Sequence, residues 1–248
     1  MAPPEDDGWS PIATEWATRW GGFADPARRA LLDAAAVGTG VRLLDAGCGS
    51  GELLRLAADR GAAVAGCDPS PAMLAVAGRS APEADLRTGG LEALPWPDGA
   101  FDVVTAVNAL HLADQGPALA EVRRVLAPGG LLALAGWAER SRNELGVLEA
   151  AVAAADGEPP AEDPEDRLPG GLEAVLAAGG FALVAADLVE ATWTAVDDEA
   201  LVAGVLLGED VGTKGELGPA VVAAAAPFRS SDGVVRLRNH LRWAVGRR

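Results

Sequence analysis

Residues Val41 to Gly51 read VRLLDAGCGSG, an apolar run that ends in an acid, Asp45, followed by glycines at 47, 49 and 51. This pattern predicts a buried strand breaking into a loop whose backbone a ligand can touch. Glycine supplies positive φ where a tight turn needs it and removes the Cβ that would hold a ligand away. The following GELLRLAADRG has helical spacing at Leu53, Leu54, Leu56, Ala57 and Ala58. The loop therefore delivers its ligand to a helix N-terminus, where unpaired N–H groups and the helix dipole meet it. A dinucleotide loop runs G-x-G-x-x-G, whereas here the run is G-x-G-x-G and position 52 is Glu. A helix start with an acid and no Lys or Arg disfavours a diphosphate and suits a zwitterionic or cationic ligand.

A second apolar run, Ala62 to Cys67, ends in Asp68, seventeen residues beyond Gly51. In a strand-loop-helix-strand unit the second strand lies beside the first, and an acid at its C-terminal tip can accept hydrogen bonds from the vicinal hydroxyls of a ribose. The same residue, in DPSPAML, also fits a helix cap, and the two roles can coexist. The two cysteines, Cys48 and Cys67, flank this region without a metal-ligand partner at suitable spacing, so both are read as reduced, half-buried small residues and no metal is expected.

The elements that must hold these residues alternate. Helices are predicted at Pro11 to Trp20 and Asp25 to Val37, the second with Asp25 as its cap and Pro26 in its first turn. Strands follow near 41–46, 63–67, 84–88, 101–107 and 130–137, with helices at about 50–60, 70–79 and 115–126, the last stopped by Pro128-Gly129-Gly130. Such alternation with short loops requires a parallel sheet with right-handed crossovers. After Trp137 a helix from Ser141 to Ala155 leads into DGEPPAEDPEDRLPGG, a stretch polar and proline-rich enough to be read as surface loop. A helix at Gly171 to Ala178, a strand at Phe181 to Trp193, helices at Asp197 to Gly208 and Glu216 to Ala226, and a final antiparallel strand at Val234 to Val245 complete the chain. No repeat and no second domain is seen, so residues 1–248 are expected to form one domain, with 1–23 as a lid segment, 24–137 as the ligand-binding core and 138–248 as insert, cap helices and final strands.

A formal charge of −16 opposes long-range approach to nucleic acids or an anionic membrane and favours small-molecule or protein partners. No run reaches the roughly 18 uninterrupted apolar residues of a membrane span, and the acidic start MAPPEDDGWS is opposite in sign to a targeting signal. A soluble, cytoplasmic protein with a frayed N-terminal tail is expected. Six arginines after Pro227 reverse the sign locally and are read as a cationic edge strand paired with acidic helices.

The stretch from Arg29 to Trp137 resembles the class I S-adenosylmethionine-dependent methyltransferases. LLDAGCGSG is similar to their first motif and CDPSPAML to their second; RTGGLEALPWPDGAFDVVTAVNALHL and ALAEVRRVLAPGGLLALAGW are similar to the segments around their third to fifth strands. The resemblance implies a Rossmann-like α/β fold, a seven-stranded mostly parallel sheet flanked by helices with the last strand antiparallel. It implies S-adenosylmethionine as cofactor, its methionine end held by Asp45, Gly47, Cys48, Gly49, Gly51 and Asn108, its ribose on Asp68, and adenine near Met73 and the backbone of Gly90 and Leu91. The family commonly has Asp where this chain has Gly90, which leaves adenine recognition to backbone or to Glu92. In resembling enzymes, helical inserts before the last strands cap the acceptor pocket. Trp9, Trp16 and Trp20 of an N-terminal helical lid and Trp137 at a strand end are expected to contribute to lid and pocket wall, the alternative being plain core packing.

The implied reaction is displacement of a sulfonium methyl by an acceptor attacking from behind, with rate supplied largely by alignment in a desolvated pocket. A hydroxyl acceptor must also lose a proton, to a base contributing about 10²- to 10⁴-fold. His111, in AVNALHLAD after the fourth strand, is the candidate; the alternatives are a helix cap near Asp114 or a bystander beside the cofactor. The second histidine, His240, falls on a distant strand and is given no role. Methyl transfer to a small molecule, a secondary metabolite among the candidates, is favoured over transfer to a protein or carrier-bound substrate and over a non-methylating cyclisation on the same fold. The scaffold leaves the acceptor atom open.

Overall fold

The computed structural model describes residues 8–159 and 162–248. The predicted N-terminal tail lies mostly outside these residues. Seven strands form one sheet: β1 (Arg42–Ala46), β2 (Ala63–Asp68), β3 (Asp85–Thr88), β4 (Phe101–Val107), β5 (Leu126–Trp137), β6 (Ala182–Ala195) and β7 (Val235–Arg247), in the order β3-β2-β1-β4-β5-β7-β6. The first five pair in parallel, and β7 runs antiparallel to both β5 and β6. The expected Rossmann-like sheet is thus present. β7 lies inside it and β6 at its edge, so the predicted cationic edge strand is an inner strand. Three of its arginines are nonetheless ion-paired, Arg236 with Asp232, Arg238 with Glu144 and Arg242 with Glu139, as is Arg229 ahead of it with Asp198.

Short apolar helices cover both faces: α1 (Ala13–Arg19), α2 (Asp25–Ala34), α3 (Glu52–Ala58), α4 (Pro71–Ser80), α5 (Gln115–Val125), α6 (Leu145–Ala155), α7 (Gly171–Ala178), α8 (Asp198–Val205) and α9 (Val211–Ala225). Leu32, Leu43, Leu54 and Val103 pack on one side of β1, while Leu44, Ala46, Val104 and Val122 pack on the other. Strands buried on both faces are near-continuous in apolar residues, as these are. Several details differ from the sequence reading, among them the start of α6 at Leu145 instead of Ser141 and the end of α2 at Ala34 instead of Val37. Asp25 sits in the first turn of α2 and binds Arg28 at 2.9 Å instead of capping. β5 starts at Leu126, because the Pro-Gly-Gly stretch enters the strand through an irregular register with Phe101 and Val103 of β4. α9 begins at Val211, where the Asp210 side chain accepts from the Gly212 and Thr213 N–H groups, an N-cap that extends the helix ahead of its predicted start. No helix of the described residues is long and apolar enough to cross a membrane.

Candidate functional site

The C-terminal ends of β1, β2, β4 and β5 open onto a cavity of about 320 Å³, roofed by α1 and its approach. The loop after β1 has positive φ at Gly47 (73°), Gly49 (50°) and Gly51 (87°), and each glycine has its own reason. A Cβ at Gly47 would stand 2.5 Å from the Ala109 Cβ, and one at Gly51 would stand 2.8 Å from the Ala77 Cα. At Gly49 nothing lies within 4 Å, so that backbone faces the cavity bare. The loop is pinned from β2: Gly47 and Cys48 both donate to the Cys67 carbonyl at 2.9 Å, and Gly49 N–H donates to Asp68 Oδ2 at 2.9 Å. Asp68 Oδ1 accepts from Ser70 N–H at 2.9 Å, while the cap of α4 is Ser70, whose Oγ accepts from Met73 N–H. Asp68 is thus a loop clasp that also lines the cavity.

Asp45 is almost fully buried at the cavity floor and accepts from Thr105 Oγ1 at 2.6 Å. Burial pushes its carboxyl up to about 7, against the Thr105 hydrogen bond and the charge of Arg28, which pull it down. Beside it, Glu52 Oε1 accepts from Ser50 Oγ at 2.6 Å and Glu52 Oε2 lies 3.7 Å from Arg28. Arg28 also donates to Asp25 and to the Gly21 carbonyl. One end of the cavity therefore presents carboxylates and a guanidinium side by side, a donor set matched to a ligand carrying both an ammonium and a carboxylate. Asn108 closes that end. Its φ is +51°, rare for a residue with a side chain, and its Oδ1 is buried with no hydrogen-bond partner among the described residues. A buried orphan acceptor costs about 1–3 kcal/mol, and strain of this kind concentrates at ligand sites.

Cys48 and Cys67 are both buried, and burial pushes both thiols up, Cys67 to about 12. They pack in different cores on opposite faces of the sheet, so each is the inert small residue the sequence suggested.

Met73, Gly90 and Leu91 line the cavity beside Asp68. Glu92 lines it too, with Oε1 accepting from Asp114 N–H at 3.0 Å and Oε2 so close over Gly90 that a Cβ there would meet it at 3.1 Å. The acid that replaces an aspartate at position 90 therefore reaches the same place from two residues further on.

Aromatic rings form much of the cavity wall. Trp9, Trp16, Trp20, Phe23 and Trp137 line it, Phe23 stacked on Trp137 with centroids 4.7 Å apart. Trp20 is buried, stacks on Trp193 at 4.8 Å and donates from Nε1 to the Gly204 carbonyl at 3.0 Å, while Trp193 Nε1 donates to the Arg19 carbonyl at 2.9 Å. These hydrogen bonds tie the N-terminal helix to β6 and α8, so the tryptophans serve at once as core and as cavity wall. His111, on a one-turn 3-10 segment Leu110–Leu112, lines the same cavity and is exposed at its rim. Partial desolvation holds its imidazole below the usual 6.5; Asp166 raises it and Arg167 lowers it further. The cap of α5 is Asp114, which accepts from Gly116 N–H, so His111 is not a cap. His240 lies in a separate open groove of about 900 Å³ near Arg142, whose carbonyl is 2.9 Å from Nδ1.

Every residue given a cofactor, acceptor or catalytic role in the sequence lines this cavity except Gly51, which packs on Ala77. Arg28, Phe23 and Arg167 were missed. Arg28 carried a signal, a charged residue within the stripe Ala24, Ala27, Leu31 that buries one face of α2. Arg167 carried none, because it belongs to the polar stretch read as surface loop, whose turn Glu165–Arg167 instead reaches the cavity.

Residues 44–134 match the model of the methyltransferase domain family. The chain is 41% identical over 128 residues to a demethylmenaquinone methyltransferase of Thermus thermophilus, covering 49% of this chain and 58% of that protein. It is 38% identical over 108 residues to a malonyl-[acyl-carrier protein] O-methyltransferase of Serratia marcescens, covering 43% and 42%. The chain thus spans about half the length of the curated relatives it matches. Among solved structures, a putative methyltransferase of Bacillus halodurans superposes with a TM-score of 0.61 at 19% identity, over 89% of this chain and 97% of that one, a likeness of fold. By the family match residues 44–134 are a methyltransferase domain, carried on a sheet whose fold superposes on that of a putative methyltransferase.

Proposed function

We propose that the protein is an S-adenosylmethionine-dependent methyltransferase acting on a small-molecule acceptor. The observation that carries this reading is the convergence, in one cavity, of a bare glycine backbone at Gly49, a sheet-tip acid at Asp68, and the cluster of Asp45, Glu52, Arg28 and the unpartnered Asn108 Oδ1. The residues fit the cofactor. Asp68 has acceptors for ribose hydroxyls; Asp45, Glu52 and Asn108 offer acceptors for an ammonium; Arg28 offers donors for a carboxylate; Met73, Leu91 and the backbone at Gly90 form an apolar slot for a purine.

When bound, the cofactor supplies a methyl group on a sulfonium, which a nucleophile displaces. The chain's own contribution is alignment and exclusion of water by the aromatic wall of Trp16, Trp20, Phe23 and Trp137, which gives proximity its effect. His111, neutral near pH 7 because partial desolvation depresses it, can take a proton from a hydroxyl acceptor. The relative named for demethylmenaquinone supports a small-molecule acceptor, the one named for malonyl-[acyl-carrier protein] favours the carrier-bound alternative, and a cavity roofed by a tied-down helix supports a free small molecule. A cytoplasmic place in secondary metabolism accords with an acidic chain of this composition. Titration calorimetry with S-adenosylhomocysteine tests the reading: one-to-one binding in the micromolar range is expected, and its absence in folded protein would overturn it.

A further inference from the structure

The cavity lining holds four acids, Asp45, Glu52, Asp68 and Glu92, and two arginines, Arg28 and Arg167. Arg28 is held by Asp25, Glu52 and the Gly21 carbonyl. Arg167 is held differently. Its backbone is fixed, since the Arg167 carbonyl accepts from Arg242 Nε at 2.9 Å and Arg242 is itself anchored by Glu139. Its side chain is about three-quarters shielded from solvent, 26% exposed, yet the guanidinium donates no hydrogen bond to a described residue. The one carboxylate in ion-pair range among the described residues is Asp163, at 4.0 Å, and both oxygens of Asp163 already accept from the Arg140 N–H.

An arginine costs free energy to hold partly desolvated without partners, because its five N–H donors forgo water. The planar fork matches a carboxylate in a way that a solvent-facing lysine would not. Leu112, which also lines the cavity, is 61% exposed, an apolar surface at the same site. Resting on the reading of the cavity as a methyltransferase site, we propose that Arg167 is the anchor for a carboxylate on the acceptor, whose flat apolar body lies against Trp137 and Phe23 with its nucleophile beside His111. The acceptor class is an aromatic or similarly planar acid. The net charge of −16 opposes this preference only at long range, since screening at physiological salt acts beyond about 8 Å. Occupation of the site also aids the chemistry. An anion on Arg167 offsets the positive charge that lowers His111, making the imidazole a stronger base.

The test is calorimetry on protein saturated with S-adenosylhomocysteine, using naphthalene-2-carboxylate and its neutral near-isostere naphthalene-2-carboxamide as probes. The carboxylate is expected to bind at least about tenfold more tightly than the amide, and the gap to shrink to within about threefold in Arg167→Gln. Affinity for S-adenosylhomocysteine in that variant should stay within about twofold of wild type, which shows the fold and the cofactor end intact. Equal affinities for the two probes, a preference that survives in Arg167→Gln, or binding of neither probe would overturn the proposal while leaving the cofactor site standing. Failure of the wild-type protein to bind S-adenosylhomocysteine would instead overturn the functional reading and this inference with it.

Discussion

Asp68 holds Gly49 across nineteen residues of sequence: the carboxylate at the tip of β2 accepts the N–H of the glycine whose backbone lies open to the cavity, at 2.9 Å. One side chain therefore both shapes the loop and lines the cavity. Asp68→Ala is expected to weaken S-adenosylhomocysteine by about 1.5–3 kcal/mol, the range for hydrogen bonds to a charged group. It should also lower the melting temperature, because the Gly49 and Ser70 N–H groups lose their acceptor. Calorimetry and thermal melting on the same preparation separate the two effects. A drop in stability with unchanged affinity would reduce Asp68 to a clasp alone.

Gly49 and Gly47 make opposite predictions about where damage falls. A side chain at Gly49 meets no neighbour but must tolerate φ of +50° and projects toward the ligand. Gly49→Val should abolish cofactor binding, with a moderate stability loss from a β-branched residue at positive φ. Gly47→Ala, by contrast, drives a Cβ to 2.5 Å from that of Ala109. It should cost stability first, at about 1–3 kcal/mol as overpacking does. Melting curves and binding isotherms for the pair decide whether the two glycines differ in role; identical behaviour would refute the division.

Asp45 makes a pH prediction. Its carboxyl is raised to about 7 chiefly by burial, so the folded state holds the proton more tightly than the unfolded chain does. Stability from this group is present at low pH and falls as pH rises from the ordinary carboxylate range through about 7. Removing the charge reverses that loss: Asp45→Asn, which keeps an acceptor for Thr105, should gain stability relative to wild type on going from pH 5 to pH 8. An ammonium bound beside Asp45 favours the ionised form. Binding of S-adenosylhomocysteine should therefore release a proton near pH 7, visible as a difference in heat between phosphate and Tris buffers that Asp45→Asn abolishes.

Much of this site could be read before the fold was seen, for a physical reason. The glycine loop, Asp68 and the strand ends are local objects, fixed by positive φ, by period and by the rule that ligands meet parallel sheets at their C-terminal edge. Residues brought in by tertiary contacts were not legible in that way. Glu92 reaches over Gly90 only because the loop after β3 is tied to Asp114, and Arg167 reaches the cavity only because Arg242 on an inner strand holds its carbonyl. The position of β7 inside the sheet was likewise invisible, since an arginine at every second residue reads as an exposed edge unless its acidic partners are known to come from the segments after Trp137. The tryptophans were half legible: their number signalled a wall, but the Nε1 hydrogen bonds that make the lid helix part of the core join residues more than 170 positions apart.

His111 bears most directly on mechanism. It lines the cavity and is held below its usual 6.5 first by partial desolvation and then by Arg167, against the opposing field of Asp166. A base must be unprotonated to act, so the methyl-transfer rate at saturating cofactor and acceptor should rise with pH through an apparent value below 6.5 and be flat above neutrality. His111→Gln keeps size and a hydrogen-bonding end but cannot take a proton. It should lower the single-turnover rate by about 10² or more, with S-adenosylhomocysteine affinity nearly unchanged and the pH dependence gone. Arg167→Gln should shift the rising limb upward in pH without abolishing it, because it removes a cation that disfavours the imidazolium. A His111→Gln enzyme within about threefold of wild type would place the catalysis in alignment and desolvation by the tryptophan wall, with an acceptor that needs no base.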